Sequence, residues 1–239
     1  MAQSDAAASG YVRPPQVLAA TRGPDGGVVL TGLGAADVRL RLASPDGGAY
    51  GATADDSGHW GITLPASNDV RLFGLSEEIS GRVVQGEGYV ATLPTPGRPA
   101  ALLRAGGGAG PLIESAALQI TAIDFDAAGG AVISGTAAQG ASLKAVIDGA
   151  PAGETHASPH SHFSLALSSA LKPGDHRIQI QSGAASAQVH VTVGQAAQPA
   201  AGDLPYHGQR VDGGWRIDWL TPGGGPQTTL VLDPAGATP

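Results

Sequence analysis

Apolar and polar positions alternate along most of this chain in short bursts, each closed by a turn. At residues 38–42, Val38, Leu40 and Leu42 take one face while Arg39 and Arg41 take the other. A period of two marks a strand with one side in a core and the other in water. Ser44-Pro45-Asp46-Gly47-Gly48 is a strong turn signal, so residues 50–54 are expected to fold back as a hairpin. The same rhythm returns in His59–Leu64, with Trp60, Ile62 and Leu64 inward. Further strands are expected at 16–20, 28–32, 70–75, 82–85, 89–93 and 100–104.

The second half reads the same way, with strands expected at 118–123, 131–135, 142–147, 153–156, 162–167, 175–181 and 187–193. In the last of these Val189, Val191 and Val193 alternate with Gln188, His190 and Thr192. Seven short strands in under ~100 residues, separated by turn signals, is the pattern of a two-sheet sandwich. No segment longer than a turn has helical periodicity, so the expected class is all-β.

The two halves are copies. GGVVLTG at 26–32 returns as GGAVISG at 129–135, and HWGITL at 59–64 returns as HFSLAL at 162–167. Both pairs lie 103 positions apart, from Gly26 to Gly129 and from His59 to His162, so no gap interrupts the register. The expected organisation is a flexible N-terminal arm (1–13), a first sandwich (14–105) and a Gly-rich linker (106–115). A second sandwich (116–194), an Ala- and Pro-rich linker (195–205) and a C-terminal β-hairpin with its tail (206–239) follow. In that hairpin Trp215, Ile217 and Trp219 share a face, with Arg216 and Asp218 opposite, and 227–233 is the return strand. A hairpin alone in water is marginal at best, so its apolar face must dock on the second unit, another chain or a ligand.

Composition narrows the function. The 239 residues include 37 Gly and 18 Pro, which suits many short strands and tight turns, and only 4% are aromatic. A net charge of −7 without a basic cluster argues against nucleic acid, whose binding needs grouped Lys or Arg. Without cysteine there is neither a disulfide nor a thiolate metal site. No apolar run approaches the ~20 residues of a membrane-spanning helix. Two lysines and one asparagine beside abundant Ala, Gly and Arg suit a GC-rich bacterial genome. The first residues carry no signal-peptide pattern, which leaves a cytoplasmic chain or a removed signal open.

Thr53-Ala54-Asp55-Asp56-Ser57-Gly58-His59-Trp60 resembles the bacterial Ig-like (Big) domain family, in which an acidic, Gly-containing turn precedes an inward tryptophan. Phe163 stands at the tryptophan position of the second copy, and Ser158-Pro159-His160-Ser161 replaces the acidic turn. The resemblance covers roughly 16–193. It implies tandem Ig-like sandwiches, an address in the bacterial periplasm or cell envelope (or secretion) with a signal peptide removed, and roles as spacers, adhesion modules or carbohydrate-binding modules. It carries no shared catalytic residues.

Three groups of side chains are candidates for chemistry. His156, His160 and His162 have a spacing that could ligate a divalent metal, against the plain reading of a His-rich turn, which is preferred. Asp55 with Asp56, and Asp124 with Asp126, could bind Ca²⁺ or act as an acid–base pair, but turn residues bonding their own backbone are the preferred reading. Trp215, Ile217, Trp219 and Tyr206 are expected to bind a protein partner, a second copy of the chain or, alternatively, an envelope glycan, with docking of Trp215 and Trp219 on the body of the protein also open. No G-x-S-x-G elbow and no phosphate-cradling Gly-rich loop is present. The expectation is a non-enzymatic structural or assembly protein without a cofactor, with a carbohydrate-binding or adhesive module as the alternative.

Overall fold

The computed structural model describes residues 12–95, 97–113, 115–200 and 203–234; the expected N-terminal arm and the end of the tail thus fall mostly outside the described residues. The described residues form β-strands and no α-helix. Accordingly, among them no helix is long and apolar enough to cross a membrane.

The first sandwich comprises β1 (Gln16–Arg22), β2 (Val28–Leu33), β3 (Arg39–Ala43), β4 (Ala49–Thr53), β5 (His59–Leu64), β6 (Arg71–Ile79), β7 (Arg82–Gln85), β8 (Tyr89–Thr92), β9 (Ala100–Leu103) and β10 (Gly110–Pro111). One sheet runs β1-β2-β5; the other runs β10-β9-β8-β6-β3-β4, with β7 on β6. Their inner faces meet in a core that includes Leu30, Leu40, Leu42, Trp60, Ile62 and Phe73. Leu40, Leu42, Trp60 and Ile62 are among those that the period-two alternation turned inward.

The second sandwich comprises β11 (Gln119–Asp126), β12 (Ala131–Thr136), β13 (Ser142–Ile147), β14 (Ala150–His156), β15 (His162–Ala166), β16 (Gly174–Ser182) and β17 (Ala185–Val193). After it come β18 (Tyr206–Val211), β19 (Gly214–Leu220) and β20 (Pro226–Leu232). The C-terminal element is therefore a three-stranded ribbon, where two strands were expected. Its last strand pairs antiparallel with β11, from Ala122 opposite Val231 to Asp126 opposite Gln227. The result is a six-stranded sheet, β15-β12-β11-β20-β19-β18, facing the four-stranded sheet β14-β13-β16-β17 across a core of Ile123, Phe125, Ile133, Leu143, Phe163 and Ile178. The fold is all-β: two tandem Ig-like sandwiches followed by a C-terminal β ribbon.

The duplication extends to side-chain surroundings. A Cβ on Gly32 would overlap the Gln16 carbonyl and come within 2.6 Å of the Trp60 ring. A Cβ on Gly135 would overlap the Gln119 carbonyl and come within 2.7 Å of the Phe163 ring. Each copy thus seats an aromatic plug over a bare glycine. Both also place a β-bulge at one point, between Val17 and Ala19 and between Ile120 and Ala122.

A third apolar core lies between the sandwiches. The outer faces of β6, β8 and β9, with the residues flanking β6 and β8, supply Val70, Leu72, Ala91, Leu93, Ala101 and Leu103; β11 and the ribbon supply Ala122, Tyr206, Ile217, Trp219 and Val231. Four sheets are thus stacked around three cores. The stretch at 106–115, expected as a linker, is largely built into this arrangement: β10 pairs with β9, and Gly108 to Leu112 are buried. Gly108 has φ +77° and faces Ser134 and Val132 so closely that no side chain fits.

Candidate functional site

The seam between the sandwiches gathers the residues to which the sequence assigned partner binding, and the chain itself is what they bind. Alternation along β19 sends Trp215, Ile217 and Trp219 to one face, and that face meets the first sandwich. Trp219 and Ile217 are 0% exposed and Tyr206 8%. Such side chains cannot stack on a sugar or reach a second protein while the fold is intact. The body of the protein was among the docking options drawn from the sequence, and the face lies on the first sandwich. Only Trp215 is partly open; its indole Nε1 donates to Thr95 Oγ1 at 2.8 Å, and the Arg210 guanidinium lies 5.9 Å from its ring centroid.

Small residues bring the sheets together. Ala91, Ala101, Ala109 and Ala122 line the seam, and a Cβ on Gly208 would fall 2.6 Å from Val70 Cβ. Trp219 fills the space these leave and donates its Nε1 proton to Thr229 Oγ1 at 3.1 Å. On the other face of β19, Arg216 pairs with Asp218 through Nε and Nη2 at 2.9 and 2.8 Å, and donates to the Gln195 carbonyl.

Two charged residues are buried in the seam. Asp124 accepts from the Ala109 amide at 2.7 Å, from Thr229 Oγ1 at 2.5 Å and from Gln227 Nε2 at 3.3 Å. It thereby ties the connection between the sandwiches to the ribbon. Burial raises its pKa to about 6, against the lowering effect of those donors and of Arg104. Arg98, 2% exposed, reaches from the first sandwich and donates to the carbonyls of Thr121 and Leu232, at the β11–β20 junction. Burial lowers its pKa to about 10, with Asp233 pulling the other way.

Sequence reasoning singled out Asp124 but read it as a turn residue, and it missed Arg98. Asp124 sits on a strand, so the turn reading does not hold for it; an acid between Ile123 and Phe125 in a run otherwise apolar on both faces was the available signal. Arg98 had no such signal, because it follows a Pro- and Gly-rich break.

The other candidates are turn chemistry. Asp55 Oδ1 accepts from the Ser57 and His59 amides at 2.9 and 2.8 Å. Ser158 Oγ, at the same place in the second copy, accepts from the His160 and His162 amides at 3.3 and 3.2 Å. Asp126 does the same for the Ala128 and Gly130 amides. His162 Nε2 lies 3.1 Å from the Ile113 carbonyl, His156 and His160 are exposed, and among the described residues no group of three acidic or histidine side chains could hold a metal. Elsewhere, His176 is held between the Asp148 carboxylate and the Lys172 carbonyl, each 2.7 Å from a ring nitrogen. Burial lowers its pKa, but those two acceptors outweigh it and the net shift is upward. With both nitrogens occupied, the ring is not free to act as a base.

No protein-family model matches the sequence, and no curated protein matches it. Among solved structures, a biofilm-associated protein's BSP domain is 13% identical, with TM-score 0.27, over 78% of this chain and 30% of its own. The central fibronectin-III array of RIM-binding protein is 11% identical over 92% and 89%, with TM-score 0.27. A 1.5-MDa bacterial ice-binding adhesin, described in connection with retention at the host cell surface, is 12% identical over 92% and 88%, with TM-score 0.22. This chain therefore spans under a third of the first of these.

Proposed function

We propose that this chain is a non-enzymatic structural module of the bacterial cell envelope, in which two Ig-like domains are locked into one rigid spacer by the C-terminal ribbon. Membership in the bacterial Ig-like family, the domain limits near 14–105 and 116–194, and the periplasmic or surface address belong to the same proposal. The observation that carries it is Trp219, 0% exposed between the sandwiches. Tandem domains move relative to one another by default, unless their interface is large and apolar. Here a complete core, a β-strand addition to β11 and the two buried charges hold the seam, which is what a load-transmitting spacer needs. The aromatic face that would have suggested a glycan site is consumed in making that joint.

The absence of cysteine makes the test simple. Spin labels at Thr31→Cys on β2 and Lys144→Cys on β13, both exposed, report the distance between the outermost sheets. One narrow distance distribution is expected, broadening in Trp219→Ala. A broad distribution in the otherwise unaltered chain would sink the rigid-spacer reading.

A further inference from the structure

The two copies hold the same loop with different cationic side chains. Leu42 faces Leu75 in the first sandwich and Ala145 faces Ile180 in the second, and Leu42 and Ala145 stand one repeat apart. Counting back four residues along each partner strand aligns Arg71 on β6 with His176 on β16. Both lie on the inward side, in line with Phe73 and Leu75 or with Ile178 and Ile180. Arg71 donates through Nη2 to the Pro65 carbonyl at 2.6 Å, in the loop between β5 and β6. His176 meets the Lys172 carbonyl at 2.7 Å through Nε2, in the corresponding loop between β15 and β16. Its other ring nitrogen, Nδ1, lies 2.7 Å from the Asp148 carboxylate, in the turn between β13 and β14.

A neutral imidazole has one N–H and would set a bare lone pair against one of these two oxygens; only the imidazolium donates to both. Neither oxygen can supply the missing proton. A backbone carbonyl has none, and the Asp148 carboxylate is held ionised, because its Oδ1 accepts from the Arg177 amide at 2.8 Å and that bond, with the one from His176, keeps its pKa down. The surroundings favour the same charge. Asp175 and Asp212 line the cleft beside His176, against Arg177 and, on β17, the ring of His190; Arg216 is matched there by Asp218, and the Lys172 side chain is exposed.

We propose that His176 is a titratable latch: as an imidazolium it ties the loop 167–173 to the β13–β14 turn at Asp148, and it releases that loop when the ring loses its proton. The loop carries Leu171, which is 5% exposed and packed into the second core, so the latch closes one end of that core. Burial lowers the pKa of His176, but the bonds to Asp148 and Lys172 and the charges of Asp148 and Asp175 outweigh it and leave it above 6.5. The stabilisation is therefore complete below pH 6.5 and lost as pH rises through the folded-state value. The first sandwich has no such response at this position, because a guanidinium stays charged throughout. The latch lies within the second sandwich and works whether or not the joint between the sandwiches is rigid.

Ring-nitrogen NMR of the full, isotope-labelled chain reads the proton directly, with His176→Gln identifying the signals. Two protonated nitrogens are expected on His176 at about pH 6, resolving into one protonated and one bare nitrogen with a midpoint above 6.5. Hydrogen exchange reads the latch. The Leu171 amide donates to the Gly129 carbonyl at 2.9 Å, and its protection factor is the reporter. It is expected to fall about tenfold between about pH 6 and pH 9, the effect of losing one charge-assisted bond. His176→Arg places a permanent cation there, as at Arg71, and should abolish that fall; Asp124 titrates in both chains alike. A bare ring nitrogen on His176 at pH 6 overturns the proposal. So does Leu171 protection that is independent of pH, or that falls equally in His176→Arg. The ring measurement uses the unaltered chain, so it decides the matter even if the arginine variant does not fold.

Discussion

Tyr89 and Trp219 meet edge to face across the seam, with ring centroids 5.8 Å apart and planes at 82°. One ring comes from β8 of the first sandwich, the other from the ribbon attached to the second. Such pairs add about 0.5–1.5 kcal/mol beyond the area they bury. The contact joins segments 130 residues apart in the chain, so it needs the first sandwich and the ribbon held together.

Trp219→Ala should therefore cost about 3–5 kcal/mol, the range for truncating a buried aromatic. The loss falls on the joint more than on either sandwich core. Urea unfolding followed by circular dichroism is expected to show one transition in the parent chain and two in the variant. A single transition at an unchanged midpoint would contradict the role given to this residue.

Asp124 makes the joint sensitive to pH. Its folded pKa, about 6, lies above the 3.8 of the free side chain because burial disfavours the charged form. The folded state therefore holds the proton more tightly, and the stabilisation is complete below about pH 4 and lost as pH rises through 6. The full span is on the order of 3 kcal/mol. The parent chain should lose more stability than Asp124→Asn between pH 5 and pH 7.5 in parallel urea titrations; equal losses would argue that this carboxyl titrates normally.

Trp60 is buried, yet its Nε1 finds no hydrogen-bond partner among the described residues. The second copy manages with Phe163 on the same glycine seat. Trp60→Phe should thus cost under about 1.5 kcal/mol, since the lost ring area is offset by removal of an unpaired donor. Trp60→Ala should cost about 3–5 kcal/mol. Thermal melts of the two variants compare them directly.

Asp55 and Ser158 show one turn made with two side chains. Asp55→Ser should be nearly neutral, whereas Asp55→Ala should cost about 1 kcal/mol for the amide bonds it leaves to water. Because the carboxylate serves the backbone, millimolar calcium should leave the melting temperature of the parent chain unchanged. A calcium-dependent rise abolished by Asp55→Ala would reassign the turn as a metal site.

The strands of both sandwiches were legible because each core is built by local alternation: Leu40 and Leu42, or Ile178 and Ile180, declare their face by their neighbours alone. The strand at Tyr206–Val211 was not, since Tyr206 and Gly208 are shaped to fit Val70 and its surroundings rather than to mark a period. Of the candidate site residues, Trp215, Ile217 and Trp219 were correctly seen as one face, but nothing near them in the chain names the surface they cover.

Taken alone, the order of residues determined that the chain is all-β, that one sandwich design is used twice and which side chains turn inward, because period and repeat are properties of neighbours. Tertiary structure alone decided that the tryptophan face closes on the first sandwich and that Asp124 and Arg98 are buried at the joint. Those outcomes depend on which sheet faces which, a relation between segments a hundred or more residues apart that no local pattern encodes.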